Sequence, residues 1–115
     1  MKHTIMLKKS GFQKVYKKAK GHAETTMVML CVANGSEQNK LGVVASKKVG
    51  GAVVRNRARR RLKELYRNSE QNLCIGYDIV LIARSGIDKA EHPALKKSFV
   101  QLAKRHKIWV QAEKK

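Results

Sequence analysis

The stretch LGVVASKKVGGAVVRNRARRRLKELYR, residues 41–67, decides the fold of this chain. Its first part, Leu41 to Lys47, has the β-branched and apolar content of a strand. Gly50-Gly51 separates this strand from a helical pattern over about residues 53–68. One apolar stripe recurs there at helical spacing and consists of Val54, Ala58, Leu62 and Leu65. A strand followed by an amphipathic helix predicts a helix packed on a sheet.

The segment before this stretch adds a helix and a strand. Ser10 to Gln13 has the S-x-x-Q form of a capping box, and Gly21 supplies a stop for the short helix that follows. Residues 25–33 are rich in β-branched and apolar side chains, which indicates a strand. Turn residues at 34–36 then predict that this strand and the 41–47 strand pair as a hairpin.

The segment after it supplies another strand and helix. YDIVLIA, residues 77–83, is almost continuously apolar, which is typical of an interior strand. Pro93 stands where a helix can begin, and an apolar pattern continues from it to His106. Residues 111–115 are expected to form a frayed tail. The whole pattern predicts a single domain over residues 1–115, an α+β two-layer sandwich in which about three helices pack on a small mixed, mainly antiparallel sheet.

Charge restricts the class of partner. The chain has 115 residues with 26 Lys and Arg against 8 Asp and Glu, a formal net charge of +18. Self-repulsion on this scale favours a polyanionic partner, and nucleic acid is the first candidate. An anionic membrane surface is the alternative, but no apolar run has the length of a spanning helix and the start of the chain lacks a secretory signal. We therefore expect a cytoplasmic protein with no membrane partner.

Residues that could perform chemistry form no recognisable set. Cys31 and Cys74 have neither a C-x-x-C spacing nor a nearby His at ligand spacing, so two reduced thiols are expected. The four His are scattered, and the eight acids form no metal-binding pair. His106 is expected at the helix surface or the edge of the core. We therefore predict no catalytic residue and no metal site on the protein.

The long helix places its charges on one side. Its basic face, opposite the apolar stripe, consists of Asn56, Arg59, Arg60, Lys63 and Arg67. Arg55 and Arg57 fall in the first turn, where the helix dipole disfavours each positive charge by about 0.3–1 kcal/mol but attracts phosphate. With Lys47 and Lys48 they predict one basic ridge. Arg61 falls near the apolar stripe, and its stem is expected to run along the edge of the core.

Aromatic side chains accompany charge on the first helix. Phe12 and Tyr16 stand four residues apart among several lysines. Two readings are open for them: packing against the sheet, or a surface on which unpaired nucleotides stack. The composition and the pattern together indicate a small RNA-binding protein. A ribosomal protein is the main alternative, and a basic DNA-binding module is the next one.

The 41–67 stretch resembles the signature of the bacterial ribonuclease P protein subunit. The matching positions are Gly42, Ser46, Lys47, Lys48, Gly50, Ala52, Val53, Arg55, Asn56, Arg57, Arg59 and Arg60. LKKSGFQKVYKKAKG near the start and YDIVLIAR near the end extend the resemblance over most of the chain.

This resemblance implies a fold and a function. It implies a left-handed strand–helix–strand crossover around the R-N-R helix, which contains Arg55-Asn56-Arg57, against the usual right-handed rule. It also implies one protein bound to one catalytic RNA, whose magnesium ions hydrolyse precursor tRNA, release the 5′ leader and leave a 5′ phosphate. The protein contributes binding and holds no cofactor of its own.

The resemblance also assigns binding residues. Those expected to face the catalytic RNA are Arg55, Asn56, Arg57, Arg59 and Lys47. Those expected to line a cleft for the leader of precursor tRNA are Phe12, Tyr16, Val28, Leu30, Val44, Ser46, Lys48, Asn56, Arg60 and Lys63. Strand and helix periodicity agrees with this cleft, because 28 and 30 share a face, as do 44, 46 and 48, and 56, 60 and 63.

Four positions depart from the family pattern. Leu30 stands where an aromatic residue is common, which weakens the case for stacking there. Gly51 differs, and Arg61 replaces an apolar residue. Ser85-Gly86 stands where a proline often follows the strand. The R-N-R core itself matches.

Overall fold

The computed structural model describes residues 4–110, so the predicted tail at 111–115 lies outside the described residues. Five strands form one sheet: β1 (Thr4–Met6), β2 (Lys20–Ala23), β3 (Met27–Ala33), β4 (Asn39–Val44) and β5 (Tyr77–Ala83). Three helices pack on it: α1 (Lys9–Lys18), α2 (Ala52–Ser69) and α3 (His92–Arg105). A short 3-10 helix, Glu70–Asn72, follows α2.

The sheet is mixed, as predicted. Its strand order is β1-β4-β5-β3-β2. β4 runs parallel to both β1 and β5. β3 runs antiparallel to both β5 and β2, and the seven-residue β3–β5 ladder is the longest. The prediction of three helices on a small mixed sheet is therefore confirmed.

The predicted hairpin of β3 and β4 is wrong, because β5 lies between these two strands. β5 is the most buried strand, and Ile79, Val80 and Leu81 are fully buried at its centre. A central position satisfies its backbone groups on both edges and covers both of its faces. The turn after β3 consequently crosses the start of β5, where Asn34 N donates to Gly76 O at 2.8 Å.

Helices cover both faces of the sheet. α2 and α3 lie on one face, over a main core that includes Met29, Leu62, Leu81 and Phe99. α1 lies on the other face, where Val15 packs on a smaller cluster around Val80. α1 thus adds a third layer to the predicted two-layer arrangement and covers only part of its face.

The β4–α2–β5 crossover is left-handed. The Leu41 side chain is buried on the α2 face, and its carbonyl accepts a hydrogen bond from Leu7 N just after β1, at 2.9 Å. When a strand of L-residues runs upward and the side chain of one residue points toward the viewer, the carbonyl group of that residue points to the right. Seen from the α2 face, β1 therefore lies to the right of β4, and β5 lies to its left. The chain thus moves to the left from β4 through α2 to β5, whereas the usual right-handed crossover moves to the right.

The boundaries of α1 differ from the predicted ones. The helix begins at Lys9, and its N-cap, Lys8, makes no side-chain capping bond, so the predicted capping box at Ser10 is wrong. Buried Leu7 packs against Gly11 and fixes the start of the helix two residues earlier than an N-cap at Ser10 would place it. The helix ends at Lys18, and Gly21 lies within β2 instead of terminating the helix.

Candidate nucleic-acid interface

The first turn of α2 is open to an anion. Its N-cap is Gly51, which offers no side-chain acceptor, and the first turn contains no acidic residue. The first N–H groups of a helix have no partner within the helix, and the dipole makes this end positive. Arg57 is exposed here, and the Nε of half-buried Arg55 is buried without a hydrogen-bond partner. The helix start therefore combines free amides with two guanidinium groups.

The turn before α2 carries the lysines of the basic ridge. Ser46 Oγ accepts a hydrogen bond from Lys48 N at 3.3 Å, and Ser46 O accepts one from Val49 N at 3.0 Å. Lys47 and Lys48 are exposed on this turn, which leads directly into the helix. Gly50 has φ 153° and lies against Val54, where a Cβ atom would come within 2.8 Å. Glycine therefore allows the turn to close on α2.

The exposed face of α2 carries the predicted polar row. Asn56, Arg60 and Lys63 are all exposed, as their helical spacing predicts. Arg59 Nη2 donates to Asn56 Oδ1 at 2.5 Å, which fixes the amide beside the guanidinium. Arg67, one turn beyond Lys63, is also exposed and extends the row. The opposite side is apolar and buried, which holds this row toward solvent.

The sheet face under α1 presents an apolar row. Val28 and Val44 both pair with Ile82, so the three side chains lie side by side across β3, β5 and β4. All three are half-buried, because α1 covers only part of this face. Sequence reasoning missed Ile82. Its alternation with Val80 along β5 was the available signal, but the pairing with β4 was needed to place it.

The structure separates the two aromatic side chains of α1. Phe12 is half-buried against Gly42 and belongs to the smaller core cluster. Tyr16 is 53% exposed, with its ring centroid 6.3 Å from that of Phe12. Packing therefore accounts for Phe12, whereas the Tyr16 ring is available to a ligand.

Leu30 is turned toward the edge of the sheet. Its side chain lies over Gly21 of β2, where a Cβ atom would come within 2.7 Å of Leu30 Cδ2. It is half-buried and packs in the cluster under α1. Leu30 therefore has a packing role at the margin of the apolar row.

Neither a cluster of metal ligands nor an exposed thiol belongs to this surface in the described residues. Within residues 4–110 no three His, Cys, Asp or Glu side chains form a group that could hold a metal ion. Cys31 and Cys74 are free thiols, and burial raises the pKa of Cys31 to about 12. None of the helices in the described range is long and apolar enough to cross a membrane.

Comparison with known proteins identifies the family. The ribonuclease P family model matches residues 1–107. The chain belongs to the ribonuclease P protein family. The ribonuclease P protein component of Clostridioides difficile is 43% identical over 102 residues, which cover 88% of this chain and 90% of that protein. The component from Caldanaerobacter subterraneus is 38% identical and covers 98% and 97% of the two chains.

Solved ribonuclease P proteins share the fold. The Staphylococcus aureus protein superposes with a TM-score of 0.80 at 28% identity, covering 94% of this chain and 99% of that one. The Thermotoga maritima protein gives 0.74 at 28% identity and covers 82% and 89%. This chain is thus a protein subunit of the tRNA-processing endoribonuclease, a ribonucleoprotein with an RNA partner. Family membership favours this assignment over the ribosomal and DNA-binding alternatives.

Two departures from the ribonuclease P pattern act on the same loop. Arg61 Nη1 donates to Ile87 O at 2.8 Å and to Asp88 O at 3.3 Å. Ser85 Oγ donates to Lys48 O at 3.1 Å. Together they fasten the loop after β5 to α2 and to the lysine turn. The predicted position of Arg61 at the core edge is confirmed. Its two hydrogen bonds account for an arginine at a position where the family has an apolar residue.

Gly51, the remaining departure from the family pattern, has no steric cause. A Cβ atom at this position would meet nothing within 4 Å, and its φ is −74°, which other residues also adopt. Glycine here leaves the first turn of α2 uncovered. An approaching phosphate would therefore meet the backbone amides without a side chain in between.

Proposed function

We propose that this chain binds the catalytic RNA of ribonuclease P through the start of α2 and holds the 5′ leader of precursor tRNA beside it. The observation that carries the proposal is the uncapped first turn with an unpartnered Arg55 Nε. Such a donor is costly to leave buried and unpaired, and a shift of the Arg55 side chain on binding would let an RNA phosphate satisfy it. Arg55, Asn56, Arg57, Arg59 and Lys47 form this proposed RNA-binding group.

The proposed leader site adjoins the basic ridge. Its floor is the apolar row of Val28, Ile82 and Val44, and its wall is α1 with Tyr16. Unpaired bases can stack on an exposed tyrosine, while cations on neighbouring elements hold the phosphates. The remaining proposed contacts are Phe12, Leu30, Ser46, Lys48, Asn56, Arg60 and Lys63, of which Phe12 and Leu30 act mainly through packing.

The chemistry is assigned to the RNA. The residues of the two proposed sites are suited to holding phosphates and bases, so the protein acts by positioning substrate. Hydrolysis of the phosphodiester, with release of the leader and a 5′ phosphate on the tRNA, is then carried out by one catalytic RNA and its magnesium ions in complex with one protein. Lowering the magnesium requirement is the expected contribution of the protein's positive charge.

Reconstitution with a bacterial ribonuclease P RNA tests this function. Cleavage of precursor tRNA at low magnesium should require the wild-type protein. Arg55→Ala should impair assembly or cleavage, whereas Lys97→Ala, which removes an exposed charge on α3, should not. Precursor tRNA should bind the holoenzyme more tightly than mature tRNA. Equal affinity for both would refute the leader site, and normal cleavage by Arg55→Ala would refute the RNA-binding group.

A further inference from the structure

A second basic pocket lies outside the surface described above. It forms between β2 and the C-terminal end of α3 and has a volume of about 250 Å³. Its cationic and titratable lining consists of Lys20, His22, Arg105, His106 and Lys107, with Tyr77 at the start of β5. Five nitrogen-bearing side chains from two separate elements thus converge on one small cavity.

The pocket is held in place by specific contacts. His106 Nε2 donates to Met29 O at 2.8 Å, which ties the end of α3 to the sheet. The rings of His22 and His106 pack edge to face with centroids 4.6 Å apart. Arg105 Nη1 lies 3.9 Å from a carboxylate oxygen of Glu24. Lys107 has φ 62°, a left-handed conformation that turns the chain after the helix.

Its position separates this pocket from the R-N-R surface. α2 begins beyond the end of β4, whereas Tyr77 stands at the start of β5, which is parallel to β4. The seven residues of β5 span roughly 23 Å at about 3.3 Å per residue. The two basic sites therefore lie toward opposite ends of the sheet, and one phosphate cannot contact both.

We infer that this pocket binds a phosphodiester group of the RNA partner as a second, independent contact. Lysine and arginine side chains with histidine N–H donors suit a phosphate oxygen, and two distant phosphate sites suit a large folded RNA. The inference rests on the RNA partner of the proposed function. It adds a separate surface to it and does not involve the leader.

Protonation should strengthen this contact. The groups that face His106 are His22 and Lys20 on β2, Arg105 and Lys107 beside it, Tyr77 on β5 and Cys31 on β3, with Glu24 engaged by Arg105. Burial lowers the pKa of His106 most, the hydrogen bond to Met29 O opposes this shift, and the charges of His22 and Arg105 lower the pKa further. A bound phosphate would offset these positive neighbours, so RNA binding should take up a proton and become tighter as pH falls toward 6.

Removal of two exposed lysines tests the pocket. Lys20→Gln with Lys107→Asn removes two charges, and asparagine tolerates the left-handed conformation at 107. The matched control, Lys89→Gln with Lys97→Gln, removes two exposed charges elsewhere. For the bacterial ribonuclease P RNA, each lost phosphate contact should reduce the slope of log affinity against log salt by about 1. The control pair should keep the wild-type slope, and equal slopes for both pairs would overturn the inference.

Two further measurements separate the outcomes. His106→Gln should reduce the gain in RNA affinity between pH 8 and pH 6, whereas His92→Gln, at the exposed start of α3, should retain it. Titration with inorganic phosphate alone, followed by histidine ring NMR signals, distinguishes a pocket for free phosphate from one that needs RNA. A phosphate response without any loss of RNA affinity in the lysine pair would refute the RNA contact. Leader discrimination should be normal in the lysine pair, which keeps this test separate from the leader site.

Discussion

The ring of Phe12 occupies the space beside Gly42, where a Cβ atom would come within 2.4 Å of Phe12 Cζ. This contact joins α1 to β4 across the partly covered face of the sheet. It explains why the strand of the signature contains a glycine at a position without a turn. Helix α1 can approach β4 closely only because position 42 has no side chain.

Gly42→Ala should therefore destabilise the fold. The added methyl group would force the ring or the helix to move, at a cost of about 1–3 kcal/mol in the free energy of unfolding. Chemical denaturation measures this cost. Phe12→Leu in the same chain should recover part of it, and strictly additive effects of the two substitutions would contradict the contact.

Tyr16 and Phe12 should respond differently to truncation. Tyr16→Ala removes a largely exposed ring and should change stability by less than about 0.5 kcal/mol. It should weaken binding of leader-bearing RNA by about 1–3 kcal/mol, the usual value of one base stack. Phe12→Ala should instead cost about 2–3 kcal/mol of stability. If Tyr16→Ala lost thermal stability alone, packing would be the role of both rings.

Arg61→Met should loosen the loop after β5. Methionine keeps an apolar stem but removes the two hydrogen bonds to Ile87 O and Asp88 O. The free energy of unfolding should fall by about 1–2 kcal/mol, because the substitution removes a half-buried charged donor. Amide hydrogen exchange should rise in residues 84–91 before it rises elsewhere. Unchanged exchange in that loop would show that Arg61 does not fasten it.

The Cys31 thiol should react slowly with alkylating reagents in the folded protein. Burial, followed by the nearby Asp78 charge, raises its pKa from 9.0 to about 12. At pH 8, iodoacetamide should modify half-exposed Cys74 first, and both thiols should react alike in denaturant. Because the unfolded thiol ionises at lower pH, this group's contribution to stability should be lost as pH rises from about 9 to 12. Cys31→Val should lack that decline.

His106 should make the free protein less stable in acid. Its pKa is lowered in the fold, so the unfolded chain binds the proton first as pH falls below about 6.5. Chemical denaturation should show a lower free energy of unfolding at pH 5.5 than at pH 7.5, and His106→Gln should reduce this difference. Glutamine can still donate to Met29 O, so a variant with an unchanged pH profile would exclude His106 as the source.

Periodicity in the sequence was sufficient for the long elements. The α2 stripe and the uninterrupted apolar run of β5 each bury enough surface to fix their own secondary structure, and both appear as predicted. Charge was equally decisive, because an arginine-rich helix start with no acid in its first turn leaves little besides a polyanion to bind. The R-N-R signature then indicated which polyanion to expect, namely the RNA partner of ribonuclease P.

Short edge strands could not be predicted in this way. β1 and β2 contain three and four residues, and neither has a pattern that distinguishes it from a loop. They form because β4 and β3 offer unpaired backbone groups at the sheet edges. For the same reason the order of the strands was misjudged, since local turn residues between β3 and β4 say nothing about which strand enters between them.

The sequence by itself thus determined the principal elements, the basic helix start and the family. Only the tertiary structure decided that Ile82 joins Val28 to Val44, that Phe12 packs while Tyr16 faces solvent, and that Arg61 fastens a loop. It also brought β2 and the end of α3 together around a second basic pocket. The physical reason is that helix faces follow from spacing along the chain, whereas neighbours across a sheet depend on burial of the whole core.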